Sequence, residues 1–250
     1  MKNKKEFPGI CFNNNAAGVF LLKKELWELG MAVLLLTGVF WLARTGARFT
    51  AGSVKETKGV VVIDSGHGGS DPGKIGIHQE KEKDINLQIA KKLKDYLEKQ
   101  GVTVWMTREN DQELADGNGE NSKVQDLKKR CSQIQEWDPD CVISIHQNSY
   151  PDASICGAQV FYYEDSTEGK TLAEILQEQL VEDLDKTNHR KAKGNKTYYM
   201  LKKTEATIVI VECGFLSNDR EASLLSEKNY QEKVAEAIGK GTMRYLETLS

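Results

Sequence analysis

Apolar positions along the chain fall into two alternating patterns. Short continuous runs of β-branched residues, such as Val60-Val61-Val62-Ile63, Cys141-Val142-Ile143-Ser144-Ile145 and Ile208-Val209-Ile210-Val211, read as strands covered on both faces. They give strand candidates over 59–64, 102–107, 141–146, 158–163 and 207–212. Between them the period lengthens: Ile85, Ile89, Leu93 and Leu97 recur every four residues, predicting a helix over 84–99 that Gly101 stops. Further helices fit 122–136, 168–185 and 229–248, the last with Val234, Ile238, Tyr245 and Leu249 on one side. Strands alternating with helices predict an α/β fold, a three-layer αβα domain on a mostly parallel twisted sheet.

The N-terminal region departs from this rhythm. Residues 29–43 form an uncharged apolar run between Glu28 and Arg44, shorter than the roughly 20 residues of a spanning helix. Trp27 and Trp41 are placed to sit at membrane interfaces, and Lys23 and Lys24 precede the run. A signal-anchor is the expectation, with a cleaved signal second, because no clear A-x-A site follows Ala43. Residues 1–50 are then an N-terminal extension, 51–58 a linker, and 59–250 a single folded domain. Basic residues on the two sides of the run nearly balance, so the outward orientation of the domain rests on its chemistry.

Composition narrows the classes of partner. A net charge of −3 gives no support to nucleic-acid binding, which needs a basic face. The five cysteines form no CxxC pair and cannot all pair with one another, which argues against a zinc ribbon or a disulfide scaffold. Two loops stand out: polar 109–121, and 186–197, whose lysines and arginine read either as a solvated loop or as a rim attracting an anionic polymer.

The chemistry lies where the apolar runs stop. His67 follows the first run between Gly66 and Gly68, His146 follows Ile145, and Glu212 follows Val211. Ligands gather outside the carboxyl ends of strands in open α/β sheets, so these three converge on one edge. One histidine after an apolar strand is usually structural; three polar groups on one edge are not. Two histidines and a carboxylate are the protein set of a catalytic zinc that keeps an open position for water. Glu80 and Glu82 compete for the carboxylate role, with position leaning to Glu82 because it precedes the helix N-terminus. Glu212 is costly to bury unless used, and reads as a general base and acid. His78 and His189 are loop residues outside this set.

Taken in order, Gly66-His67-Gly68-Gly69 with Asp71-Pro72-Gly73, Glu82-Lys83-Asp84-Ile85-Asn86-Leu87, Thr107-Arg108, Ser144-Ile145-His146-Gln147-Asn148 and Glu212-Cys213-Gly214-Phe215-Leu216-Ser217-Asn218 resemble the zinc-dependent N-acetylmuramoyl-L-alanine amidases of the third amidase family. The resemblance spans roughly 59–248. It implies hydrolysis of the amide between the lactyl group of N-acetylmuramic acid and L-alanine in peptidoglycan, with zinc held by His67, Glu82 and His146 and with Glu212 as the catalytic glutamate. Arg190-Lys191-Ala192-Lys193, Glu221-Ala222-Ser223-Leu224-Leu225 and Tyr230-Gln231 with Lys233-Val234-Ala235 look like the germination-specific, CwlD-like sporulation branch. That branch implies a role in spore cortex, where removing the stem peptide prepares muramic lactam formation, and an accessory lipoprotein activator in some members. It also implies export to the cell wall or the forespore intermembrane space. Ser65, Gln147 and Thr207 depart from the family pattern and bear on substrate fit more than on activity. The rival reading is a catalytically silent or partner-activated peptidoglycan-binding domain; a zinc peptidase is a second, but the chain lacks the His-Glu-x-x-His helix motif.

Overall fold

A computed structural model of the chain describes residues 26–41, 57–115 and 122–249. The chain divides into two units, Met1–Lys55 and Glu56–Ser250. In the first, residues 26–41 form helix α1, whose apolar side chains, Trp27, Leu34, Leu36, Phe40 and Trp41 among them, are exposed. No helix among the described residues is long and apolar enough to cross a membrane. Most of the 51–58 linker and residues 116–121 of the polar loop lie outside the described residues.

In the second unit the elements run β1 (Val60–Ser65), α2 (Glu82–Lys99), β2 (Thr103–Met106), α3 (Ser122–Trp137), β3 (Cys141–Asn148), β4 (Gln159–Tyr163), α4 (Thr167–Asp183), β5 (Lys193–Asn195), α5 (Tyr199–Lys203), β6 (Ile208–Phe215), α6 (Asp219–Ser226) and α7 (Lys228–Glu247). One sheet has the order β2-β1-β3-β6-β4-β5. The strands β2, β1, β3 and β6 are mutually parallel, whereas β4 runs antiparallel to β6 and carries β5 parallel to itself. The sheet is therefore mixed, with a parallel core and two reversed strands at one side. The five expected strands and four expected helices of this unit form, with ends shifted by at most three residues. The basic 186–197 segment is not all loop, since it contains β5, and α5 and α6 are short helices that the apolar period does not reveal.

Alternation along each strand separates two cores. Val61, Ile63, Ile143, Ile145, Val209 and Val211 face α2, α4 and α7, meeting Ile89, Leu93, Leu172, Leu176, Val234 and Ile238. Val62, Val142, Ile208 and Ile210 face the other way, onto Ile134 of α3 and Met200 and Leu201 of α5. Helices thus cover both faces, which is why the strands carry no polar alternation in their first halves. Each fully buried Leu or Ile contributes about 1.5–3 kcal/mol relative to exposure. Leu249, expected on the buried side of the last helix, lies beyond its end and is exposed. Helix α4 starts at Ser166, whose side chain accepts a hydrogen bond from the Gly169 amide (2.9 Å), one of the donors that a helix N-terminus leaves open.

Candidate metal centre

The carboxyl ends of β1, β3 and β6 carry the polar cluster. Strand β3 runs two residues past His146, so His146 lies within the strand and pairs in register with Glu212 of β6. Immediately after that pair the register slips, with Asn148 opposite Phe215. Such a bulge bends the strand and re-aims its side chains beside a site. Glu82 is the first residue of α2 and not a residue ahead of the helix. His67 occupies the turn after β1 with φ 62°, a left-handed conformation uncommon outside glycine.

These elements bring His67, Glu82 and His146 together, with ligand atoms all within 4.8 Å of one another. Glu82 stands between the imidazoles: its Oε2 is 3.2 Å from His67 Nε2 and its Oε1 accepts from His146 Nδ1 at 2.9 Å. The Lys74 amide donates to Oε2 (2.7 Å) and the Gln147 amide to Oε1 (3.1 Å), which fixes the carboxylate plane. His67 Nδ1 donates to Asp71 Oδ2 at 2.7 Å, turning Nε2 toward Glu82. The cluster is tight enough to require glycine on two sides. A Cβ on Gly66 would collide with the His146 ring, and one on Gly73, at φ 69°, with Glu82 and His67. Glu80, the competing carboxylate, is instead held in its own turn, where it accepts from the His78 amide (3.0 Å).

The electrostatics favour positive charge at this point. Burial acts against protonation of His67, yet hydrogen bonds to Asp71 and Glu82 outweigh it and push the imidazole up to about 9. Burial would raise the Glu82 carboxyl, but the hydrogen bonds from His146 and His67 hold it well below the usual range. Glu212 behaves in the opposite way. It is 8% exposed, its Oε2 has no hydrogen-bond partner, and burial, helped by the nearby Glu82 charge, pushes its carboxyl up to about 7 against the opposing influence of His146. One carboxylate is anchored and ionised; the other is free and close to neutral titration. Two imidazoles and a carboxylate match the donor set of a catalytic zinc site, and beside them stands a buried Glu212 oxygen without a hydrogen-bond partner.

Several further residues support the cluster. Asp71 lies four residues after His67 in a glycine-rich turn, a spacing that makes the contact easy once the turn is known. Ser65 and Gln147 are buried; the Gln147 side chain donates to Asn86 Oδ1 (3.2 Å) behind Glu82. His78 makes both its contacts through one nitrogen, to Asp219 (3.2 Å) and Ser223 (3.3 Å), which ties the 70s loop to α6. In the basic segment, Arg190 is committed to the Cys156 carbonyl (2.8 Å), to Gln159 (3.1 Å) and to the Phe215 ring (4.8 Å), so it braces β4 and is no free rim charge.

Comparison with known proteins shows the family. Residues 61–244 match the family described as N-acetylmuramoyl-L-alanine amidase. A germination-specific N-acetylmuramoyl-L-alanine amidase of Bacillus subtilis is 40% identical over 189 residues, covering 74% of this chain and 79% of that protein. Among solved structures, the CwlD amidase from Clostridioides difficile in complex with the GerS lipoprotein matches with a TM-score of 0.74 at 38% identity, over 76% of this chain and 99% of that one. An N-acetylmuramoyl-L-alanine amidase from Clostridium difficile 630 matches with a TM-score of 0.67 at 30% identity, over 76% and 98% of the two chains. On the ordered motifs, the α/β architecture and these matches, the chain belongs to the N-acetylmuramoyl-L-alanine amidase family.

Proposed function

We propose that His67, Glu82 and His146 hold a zinc ion, that Glu212 is the catalytic acid–base, and that the bond cleaved joins the lactyl group of N-acetylmuramic acid to the L-alanine of a peptidoglycan stem peptide. The observation carrying this reading is the convergence of three metal-type donors within 4.8 Å beside a buried carboxylate with a free oxygen. Zinc in such a site supplies Lewis acidity that activates water and polarises the scissile carbonyl. The protein does the rest. Glu82 is locked by two backbone amides, and Asp71 fixes the tautomer of His67. Glu212, with its titration near neutrality, takes a proton from the attacking water and returns it to the departing amine nitrogen.

The relatives refine the setting. Likeness to the germination-specific enzyme of Bacillus subtilis supports a role in spore cortex, ahead of muramic lactam formation. The GerS complex of the Clostridioides difficile amidase supports a lipoprotein activator for this chain as well. The apolar exposed helix 26–41 supports an exported domain, held at the membrane by a signal-anchor or released if the segment is cleaved. Zinc-loaded protein incubated with purified peptidoglycan is expected to release stem peptides with a new L-alanine amine, detected by mass spectrometry. Glu212→Gln is expected to keep zinc and lose roughly 10²–10⁴-fold in rate. Undiminished hydrolysis by this variant rejects the role of Glu212, and zinc-loaded protein that releases no peptide with or without a lipoprotein partner favours a silent wall-binding domain.

A further inference from the structure

The turn that carries His67 is gripped from behind by buried cations. Arg130 of α3 is 1% exposed and every nitrogen is engaged. Its Nε donates to Asp126 (2.6 Å), Nη1 to Asp64 (2.7 Å) and to the Ser65 carbonyl (2.8 Å), and Nη2 to the His67 carbonyl (2.7 Å). Arg108 takes the two carbonyls before it, through Nε to Ser65 (2.9 Å) and Nη2 to Gly66 (3.1 Å). Lys83 takes the Gly69 carbonyl at 2.7 Å. The carbonyls of Ser65, Gly66, His67 and Gly69 are therefore held by fixed charges, while the His67 ring faces Glu82.

Buried guanidinium groups are an expensive way to hold a fold together, since apolar side chains of similar volume often stabilise as well or better. Their planar fork does something apolar packing cannot: it fixes several oxygens in one geometry. His67 needs that help, because its left-handed backbone is disfavoured for a residue with a Cβ and persists only where the surroundings over-determine it. Arg130 supplies the hydrogen bond to the His67 carbonyl, and Asp71 supplies the one to its ring. We propose that Arg130 is a positioning residue for metal binding, holding His67 in its left-handed conformation so that Nε2 meets Glu82 and His146. This rests on the reading of those three residues as the zinc site.

The test uses the full chain as wild type, Arg130→Met, Arg130→Lys and, as a control, Leu93→Ala from the opposite core. Zinc affinity is measured by chelator competition well below the melting temperature, and visible absorption is recorded for the Co²⁺-loaded proteins. Arg130→Met is expected to bind zinc 10–100-fold more weakly with an altered cobalt spectrum. Arg130→Lys should recover only part, because one ammonium cannot serve Asp64, Ser65 and His67 together. Leu93→Ala should lower the melting temperature and leave affinity and spectrum unchanged. If Arg130→Met does not fold, Arg130→Lys decides alone. Wild-type affinity and spectrum in the folded Arg130 variant overturn the proposal. Failure of the wild type itself to take up either metal overturns the zinc reading, and the proposal falls with it.

Discussion

The two faces of the sheet are built from the same strands and do different work. On the side of α2, α4 and α7 the inward residues stay apolar through Ile63, Ile145 and Val211, and turn polar only at Ser65 and Gln147, one step further along. On the side of α3 and α5 they begin apolar and turn polar: Val62 gives way to Asp64, Val142 to Ser144 and His146, and Ile210 to Glu212. One face is a hydrophobic clamp. The other is a hydrophobic clamp at one end and a hydrogen-bonded ionic network at the other, where Asp64 accepts from Thr107 (2.8 Å), Arg130 (2.7 Å) and Ser144 (2.6 Å). A strand's two-residue period thus lets a single chain secure stability on one side and position chemistry on the other, three ångströms of rise apart.

That division can be broken experimentally. The largest effect is expected from Asp64→Ala, which leaves buried Arg130 with Asp126 as its one carboxylate partner and takes the acceptor from the Thr107 and Ser144 hydroxyls, and should cost about 3–5 kcal/mol in urea unfolding. Metal uptake should fall with it, because the anchor of the His67 turn is loosened. Leu93→Ala, on the apolar face, should cost about 3 kcal/mol with metal uptake intact; coupled losses there would mean that the faces are not independent. A smaller effect concerns acid. Burial would raise the Asp64 carboxyl, but Arg130 and the Ser144 hydroxyl bring it down to about 2 against an ordinary 3.8. The unfolded chain therefore binds more protons between those values, so stability present above about pH 4 is lost as pH falls through about 2. An Asp64→Asn variant should lack that limb of the acid unfolding profile, and an unchanged profile would assign it elsewhere. The smallest effect is expected from Ser166→Ala, which removes the N-cap of α4 at about 1 kcal/mol without touching activity.

Legibility in the sequence followed the same division. The Ile85–Leu97 spacing and the β-branched runs announce the apolar face, because burial leaves a periodic trace. The proposed metal trio is legible for a related reason: each member follows an apolar run at the sheet edge or stands at a helix start. Choosing Glu82 over Glu80 needed the family motif, since a two-residue difference in a loop is decided by the path of the turn. The reversal of β4 was hidden, as strand direction depends on the connection and not on the strand's composition. Lys193-Gly194-Asn195 has no apolar residue to mark β5. Arg130 was hidden most completely. Within Lys128-Lys129-Arg130 it looks like one more solvated charge, and only the fold shows that α3 turns it under the His67 turn.

The outermost strands of the sheet, β2 with four residues and β5 with three, are its shortest. An exposed edge is where a sheet recruits a neighbour's backbone and begins to aggregate. Here one edge offers a few peptide groups beside Trp105 stacked on Trp137, and the other offers a stretch broken by Gly194 and flanked by lysines. The longest strands, β3 and β6 with eight residues each, are kept in the middle. The fold consequently presents crowded surroundings with little that another molecule's strand can extend, and an insertion that lengthened β2 or β5 would make the domain prone to polymerise through its rim.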